Sequence, residues 1–182
     1  MVTARTKANG SQCRPPPPIL RAPFDPRGLD TEVLLTEPRV AVLPAGHPLA
    51  GRRTLCRADL DGEPMPRWTG QTDPVAAAYW AGADAPPEPG RPAGPEINHV
   101  TQLLDAVALG SAVAYVPAST AKQYHRADLV FVPVGDLSPS HVVAAWPDTS
   151  RSPAVAAFVR AAADTAACAA PRRPARPVST GG

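Results

Sequence analysis

Four consecutive residues carry the side chains best suited to bind a small molecule: Thr69, Gly70, Gln71 and Thr72. They follow a predicted strand at 65–68 and precede a predicted helix with Asp73 as N-cap and Pro74 in its first turn. Helix N-termini present unpaired N–H donors, and open α/β sheets bind ligands at the carboxyl ends of strands. The loop therefore predicts a site for a polar small molecule. Simple helix capping by the loop hydroxyls stays open as an alternative, and the Asp73 carboxylate would repel an anion there.

Two further segments could contribute to the same kind of site. His99 and Thr101 lie near the start of a predicted helix at 96–109, which residues 94–96 open. Tyr115 and Pro117 lie at the end of the strand predicted at 112–116. His99 and Thr101 also fit plain surface positions, so both interpretations stay open for them.

Motifs for catalysis or for metal binding are missing from the sequence. It contains no GxSxG elbow, Walker loop, HExxH or GxGxxG. Its four histidines are never three or four residues apart, and its three cysteines form no CxxC pair. We therefore expect no catalytic residues, no metal, no cofactor and no disulfide framework, and we expect that the protein is not an enzyme.

Composition bounds the folded region. The chain has 182 residues, 25 of them proline, and a net charge of +2. Large apolar residues concentrate in 29–165, which predicts one domain between a disordered Pro/Arg-rich tail at 1–28 and a disordered C-terminal tail at 166–182. No apolar run reaches the ~18–20 residues of a membrane helix, and no signal peptide is visible. A cytoplasmic location without membrane contact is the expectation.

Strand-like and helix-like patterns alternate through the middle of the chain, which predicts an α/β fold with a largely parallel sheet. Strands are predicted at 33–36, 39–43, 65–68, 112–116, 129–134 and 141–146. Helices are predicted at 73–80, 96–109, 119–124 and from Ser152 onward, while 81–95 is predicted as loop because five prolines and three glycines interrupt it.

Four blocks carry a resemblance to a known family. They are GLDTEVLLTEPRVAVLPAGHPLAGR (28–52), RADLDGEPMPRW (57–68), INHVTQLLDAVALGSAVAYVPAS (97–119) and LVFVPVGDLSPSHVVAAWPDTSRSPAVAAFV (129–159). In this order and spacing they resemble the C-terminal effector-binding domain of LysR-type transcriptional regulators. The resemblance implies an α/β fold like that of type 2 periplasmic binding proteins, with two subdomains joined by two crossing strands.

The resemblance also defines what this chain holds of that domain. One complete subdomain, at about 45–128, and only the C-terminal part of the other are expected, so Val142, Val143, Phe158 and Val159 should lack partners. Family members bind DNA through a winged helix-turn-helix and form homo-oligomers, and that DNA-binding domain is absent from these 182 residues.

The predicted function is therefore binding of a small organic effector, polar or aromatic-carboxylate, with millimolar affinity because half of the cleft is lost. The alternatives are a stand-alone module that modulates a full-length regulator, and a non-functional gene fragment.

Overall fold

The computed structural model describes residues 16–70, 73–82 and 92–169. Eight strands are present in this part of the chain: β1 (Ile19–Arg21), β2 (Leu29–Glu37), β3 (Arg39–Pro44), β4 (Met65–Trp68), β5 (Ala93–Ile97), β6 (Ala114–Pro117), β7 (Leu129–Pro133) and β8 (Ser140–Pro147). The α-helices are α1 (Pro74–Trp80), α2 (Val100–Ala108), α3 (Ala118–Gln123) and α4 (Pro153–Ala169), and a 3-10 turn spans Arg57–Leu60.

Two of the sheets have three strands each: the first sheet in the order β1-β8-β2 and the second sheet in the order β6-β3-β7. The second sheet has β3 at its centre and carries the main core. Side chains alternate between the two faces of a strand, so the unbroken run RVAVL can serve two cores at once. Val40 and Val42 pack toward α2, with Leu104 and Val107 among their neighbours. On the other face, Ala41 and Leu43 join a cluster that is completed by the following residues: Leu55, Leu60, Met65, Val113, Tyr115, Val132 and Val134.

The first sheet, in the order β1-β8-β2, is joined to the second sheet twice. Pro38 alone separates β2 from β3 and forms the first crossing, and residues 134–139 lead from β7 to β8 and form the second crossing. The centre of β8 is buried, and α4 packs mainly on β2 with no fully buried side chain in 153–168. Val143 is 4% exposed, so the expectation that it lacks partners is wrong, because β8 is the central strand.

Two predictions about local structure are wrong. The helix predicted at 96–109 begins at Val100, and residues 93–97, placed in the loop and the helix start, form β5 parallel to β4. Ile97 pairs with Trp68 and is buried against the main core, so the strand is favoured over the extra helical turn. The sheets are also mostly antiparallel: β4 and β5 are the parallel pair of strands in the described part.

The other predicted elements are confirmed within a few residues of their ends, β2 excepted, which begins four residues earlier than predicted. The ordered chain also begins earlier than residue 29, because β1 lies within the predicted 1–28 tail and pairs with β8. At the other end, α4 continues to Ala169, beyond residue 165. No helix in the described residues is both long enough and apolar enough to cross a membrane.

Candidate functional site

A cavity of about 530 Å³, here called the main cavity, lies between the first sheet and the part of the described chain that is built on the second sheet (39–133), which is called the second subdomain from here on. The second subdomain lines most of it, through the end of β4 and its following loop, the end of β6, and α3. Arg21, from β1, is the one charged residue among the described residues that line it. This volume lies within the usual range for small-molecule sites, about 300–1,000 Å³.

The structure brings half of the predicted site residues together around this cavity: Thr69, Gly70, Tyr115 and Pro117. Tyr115 and Pro117 are buried at the carboxyl end of β6, while Thr69 and Gly70 follow β4 and are exposed. Gln71 and Thr72 lie outside the described residues. Two strand ends thus meet at this cavity, and a binding role for their residues stays a prediction.

His99 and Thr101 do not line the main cavity. Both are exposed, and His99 is the N-cap of α2 without a capping side-chain hydrogen bond. With the helix starting at Val100, both residues still lie at its N-terminus, but on its exposed face. Within α2 it is the apolar residues Val100 and Leu103 that line the cavity.

Aromatic rings form one wall of the main cavity. Trp68 and Trp80 both line it, with their ring centroids 6.5 Å apart and their planes at 59°. Tyr124 lines it as well. This wall is not predicted from the sequence, although Trp68 ends a strand and Trp80 ends a helix, and both positions border the predicted site.

A hydrogen-bonded cluster ties the first sheet to the second subdomain beside the cavity. The carboxylate of Glu37 accepts from Arg21 Nη1 at 3.0 Å, and that same nitrogen donates to Ser140 Oγ at 2.7 Å. Glu37 also accepts from the backbone N–H of Ser119 at 2.6 Å and from its hydroxyl at 2.9 Å. Because Arg21 and Ser119 both line the cavity, one buried carboxylate holds groups on two sides of it.

Arg21 keeps donors for a further acceptor. Its hydrogen bonds all leave from Nη1, and its side chain is 32% exposed. The three N–H groups on Nε and Nη2 have no acceptor among the residues that the structure describes. That edge of a guanidinium matches the two oxygens of a carboxylate.

A second cluster lies beneath α1. Arg39 is 1% exposed, and its Nε and Nη2 donate to the carbonyl oxygen (2.8 Å) and hydroxyl (2.9 Å) of Ser138. Its Nη1 donates to the Tyr79 carbonyl, and its guanidinium lies 3.8 Å from the centroid of the Tyr79 ring. The Tyr79 hydroxyl donates to the Pro139 carbonyl at 3.0 Å. Arg39 and Tyr79 therefore connect α1 to the second crossing.

Exposed ion pairs lie away from the main cavity. Arg126 bridges Asp105 (2.5 Å) and Asp128 (2.7 Å), and its hydrogen bond holds the pKa of Asp128 below the usual range. Hydrogen bonds from Arg27 lower the pKa of Asp25 to about 2. Among the described residues, no three His, Cys, Asp or Glu side chains come together as metal ligands.

These features identify the class of protein. It is an α/β protein with the fold of type 2 periplasmic binding proteins, and its cavity lies beside the two crossings. The sequence profile of the LysR substrate binding domain matches residues 19–167. The chain therefore belongs to the LysR substrate-binding-domain family, and the resemblance noted in the sequence is confirmed.

Individual relatives agree. The Hca operon transcriptional activator HcaR of Escherichia coli (strain K12) is 27% identical over 146 residues, which cover 78% of this chain and 48% of HcaR. The chain thus spans about half the length of that curated relative.

Solved structures show the same fold. The BenM effector-binding domain with its effector benzoate has a TM-score of 0.62 at 19% identity, covering 81% of this chain and 68% of that one. The reduced OxyR regulatory domain from Pseudomonas aeruginosa has a TM-score of 0.60 at 20% identity, covering 81% and 71%.

Proposed function

We propose that this chain is the effector-binding domain of a LysR-type transcriptional regulator and that a small organic effector binds in the main cavity. The observation that carries the proposal is the composition of the cavity wall, which combines Arg21 from the first sheet with strand ends and α3 from the second subdomain. A ligand there touches both sides of the two crossings. HcaR is a transcriptional activator and BenM binds benzoate, which supports a regulatory role for such a ligand.

We further propose that the effector is an aromatic carboxylate. Trp68 and Trp80 offer ring faces and edges to a flat apolar body, and the Nε–Nη2 edge of Arg21 offers paired donors to a carboxylate. Arg21 is already paired with Glu37, but one guanidinium can hold two carboxylates. Arg126 does so in this same protein, between Asp105 and Asp128.

The domain acts on transcription through a DNA-binding part that lies outside residues 19–167, in a cytoplasmic homo-oligomeric regulator. It performs no catalysis in this proposal. Binding energy from the effector shifts the relation between the two subdomains, which requires only that the ligand favour one arrangement over the other.

Three probes test the chemistry of the site: benzoate, its neutral analogue benzamide, and the non-aromatic cyclohexanecarboxylate. Affinities come from calorimetry, and the location comes from NMR shifts of the Trp68 and Trp80 indole N–H groups. We expect benzoate to bind most tightly of the three probes and to shift the indole N–H signals of both tryptophans. Arg21→Gln should lower benzoate affinity roughly ten-fold and leave benzamide unchanged, because it removes one charge-assisted hydrogen-bonding edge.

Arg27→Gln is the matched control, since Arg27 is an exposed arginine a few residues after β1 that does not line the cavity. Equal affinity for benzamide and benzoate would exclude the carboxylate while leaving the cavity as the site. Binding of the probes without a shift of either indole signal would exclude the main cavity as the binding site.

A further inference from the structure

The cluster formed by Arg39 and Tyr79, here called the Arg39–Tyr79 clamp, lies outside the main cavity but next to its aromatic wall. Arg39 is the first residue of β3 and donates twice to Ser138 in the second crossing. It also donates to the Tyr79 carbonyl and stacks on the Tyr79 ring. Both the backbone and the side chain of Tyr79 are thus held by one buried guanidinium.

Tyr79 also reaches the second crossing directly, because its hydroxyl donates to the Pro139 carbonyl at 3.0 Å. The next residue, Trp80, lines the cavity, and the two rings meet edge to face with centroids 5.1 Å apart. A helix of seven residues has little stability of its own, so its position depends on contacts of this kind. The position of Trp80 therefore depends on Arg39 of β3 and on the second crossing, to which Arg39 and Tyr79 are both hydrogen-bonded.

We infer that Arg39 and Tyr79 are positioning residues that couple the aromatic wall of the main cavity to the second crossing. The inference rests on the proposed function, because it concerns how the same cavity responds to its ligand. A ligand against Trp80 displaces the end of α1, and the adjoining Tyr79 carries that displacement to Ser138 and Pro139. The coupling is reciprocal: the factor by which ligand binding stabilises one arrangement of the crossing is also the factor by which loosening of that arrangement weakens ligand binding.

The coupling has two separable connections to the crossing. Tyr79→Phe removes the hydrogen bond to the Pro139 carbonyl and keeps the ring under Arg39. Ser138→Ala removes the hydroxyl that accepts from Arg39 Nη2 and keeps the carbonyl that accepts from Nε. Ser150→Ala is a matched control, because the buried Ser150 hydroxyl has no hydrogen-bond partner among the described residues.

The probe is benzoate, and NMR follows two regions of the full chain: the Trp80 indole N–H, and the backbone amides of Ser138, Ser140 and His141. We expect benzoate to shift both regions in the unmodified protein and in Ser150→Ala. In Tyr79→Phe and in Ser138→Ala, the indole should still shift, the amide shifts at 138–141 should fall at least two-fold, and the dissociation constant should rise about five-fold. A purely structural role would lower stability without separating the two regions.

If benzoate shifts the Trp80 indole signal of the unmodified protein but leaves the amide signals at 138–141 unchanged, the coupling is overturned and the proposed function stands. If benzoate shifts the NMR signals of neither region, the proposed effector is wrong. The Arg39–Tyr79 clamp is then tested without a ligand. Trp80→Phe should then shift the 138–141 amides in the unmodified background and not in Tyr79→Phe. Equal shifts in both backgrounds would reject the clamp.

Discussion

The carboxylate of Glu37 accepts hydrogen bonds from both the backbone N–H and the hydroxyl of Ser119, at 2.6 and 2.9 Å. Glu37 is the last residue of β2, in the first sheet, and Ser119 lies in α3, in the second subdomain. The pair therefore joins the two sides of the main cavity, next to the first crossing at Pro38. Arg21 shares the same carboxylate, so any change at Glu37 acts on stability and on ligand binding together.

Glu37→Gln should lower stability and raise the affinity for benzoate. The glutamine N–H₂ group would face donors of Ser119 or Arg21, which leaves a buried group unsatisfied at a cost of about 1–3 kcal/mol. The Arg21 charge would then lack its partner and would attract a carboxylate ligand more strongly. Urea denaturation measures the first effect, and calorimetry with benzoate measures the second.

Glu32→Gln serves as the control, because Glu32 is an exposed carboxylate on the same strand. Its stability should change by less than about 0.5 kcal/mol. A Glu37→Gln protein with weaker benzoate binding would contradict the competition between Glu37 and the ligand for Arg21.

Gly82→Ala should be far more damaging than Gly110→Ala. Both glycines have positive φ, +83° and +72°, so both substitutions carry a backbone cost of about 1–2 kcal/mol. At Gly82, however, a Cβ would lie 2.2 Å from the Tyr115 ring, whereas nothing lies within 4 Å at Gly110. Overpacking should add about 1–3 kcal/mol at Gly82.

Tyr115 lines the main cavity, so Gly82→Ala should also weaken benzoate binding, while Gly110→Ala should not. Thermal or urea unfolding and calorimetry measure both effects. Similar losses of stability for the two variants would contradict this prediction, because they would show that the Tyr115 ring moves away from the new Cβ at no energetic cost.

The Asp25 carboxyl should titrate at a pH near 2 in the folded protein, as measured by NMR. The cause is its hydrogen bonding with Arg27, which lowers the pKa from an ordinary value of about 3.8. A lowered pKa contributes stability that is fully present above pH ~4 and is lost as the pH falls through 2. In Arg27→Gln the pKa should return toward 3.8, and an unchanged value would refute this pairing.

Amide hydrogens of α2 should exchange more slowly than those of α4. Leu103, Leu104 and Val107 of α2 are buried in the main core, whereas α4 has no fully buried side chain in 153–168. Partial burial leaves α4 free to open without unfolding the second sheet. Hydrogen exchange by NMR or mass spectrometry measures the order, and slower exchange in α4 would contradict it.

The sequence predicted elements well where the pattern was local and strong. The run RVAVL at 39–43 predicts a buried strand, and the stripe of Val100, Leu104 and Val107 predicts the exposed and buried faces of α2. At residues 93–97 the prediction was wrong, because pairing with β4 is a contact between distant segments that no local pattern shows.

The site was predicted only in part, for a related reason. Thr69 and Tyr115 follow from the rule that ligands bind at strand ends. Arg21 could not be found this way, because it lies in a segment whose prolines and arginines indicate a tail. Only pairing of β1 with the distant β8 brings Arg21 to the cavity.

The two crossings lie side by side, which makes the second subdomain an insertion with adjacent ends. Val40 is paired with Pro133, and Glu37 is paired with Ser140, so the chain leaves the first sheet and returns to it at neighbouring strand positions. Paired strands are about 5 Å apart, a gap that a two-residue turn spans. Residues 38–139 could thus be excised as a unit, and a two-residue turn from Glu37 to Ser140 in their place would convert β2 and β8 into a simple hairpin.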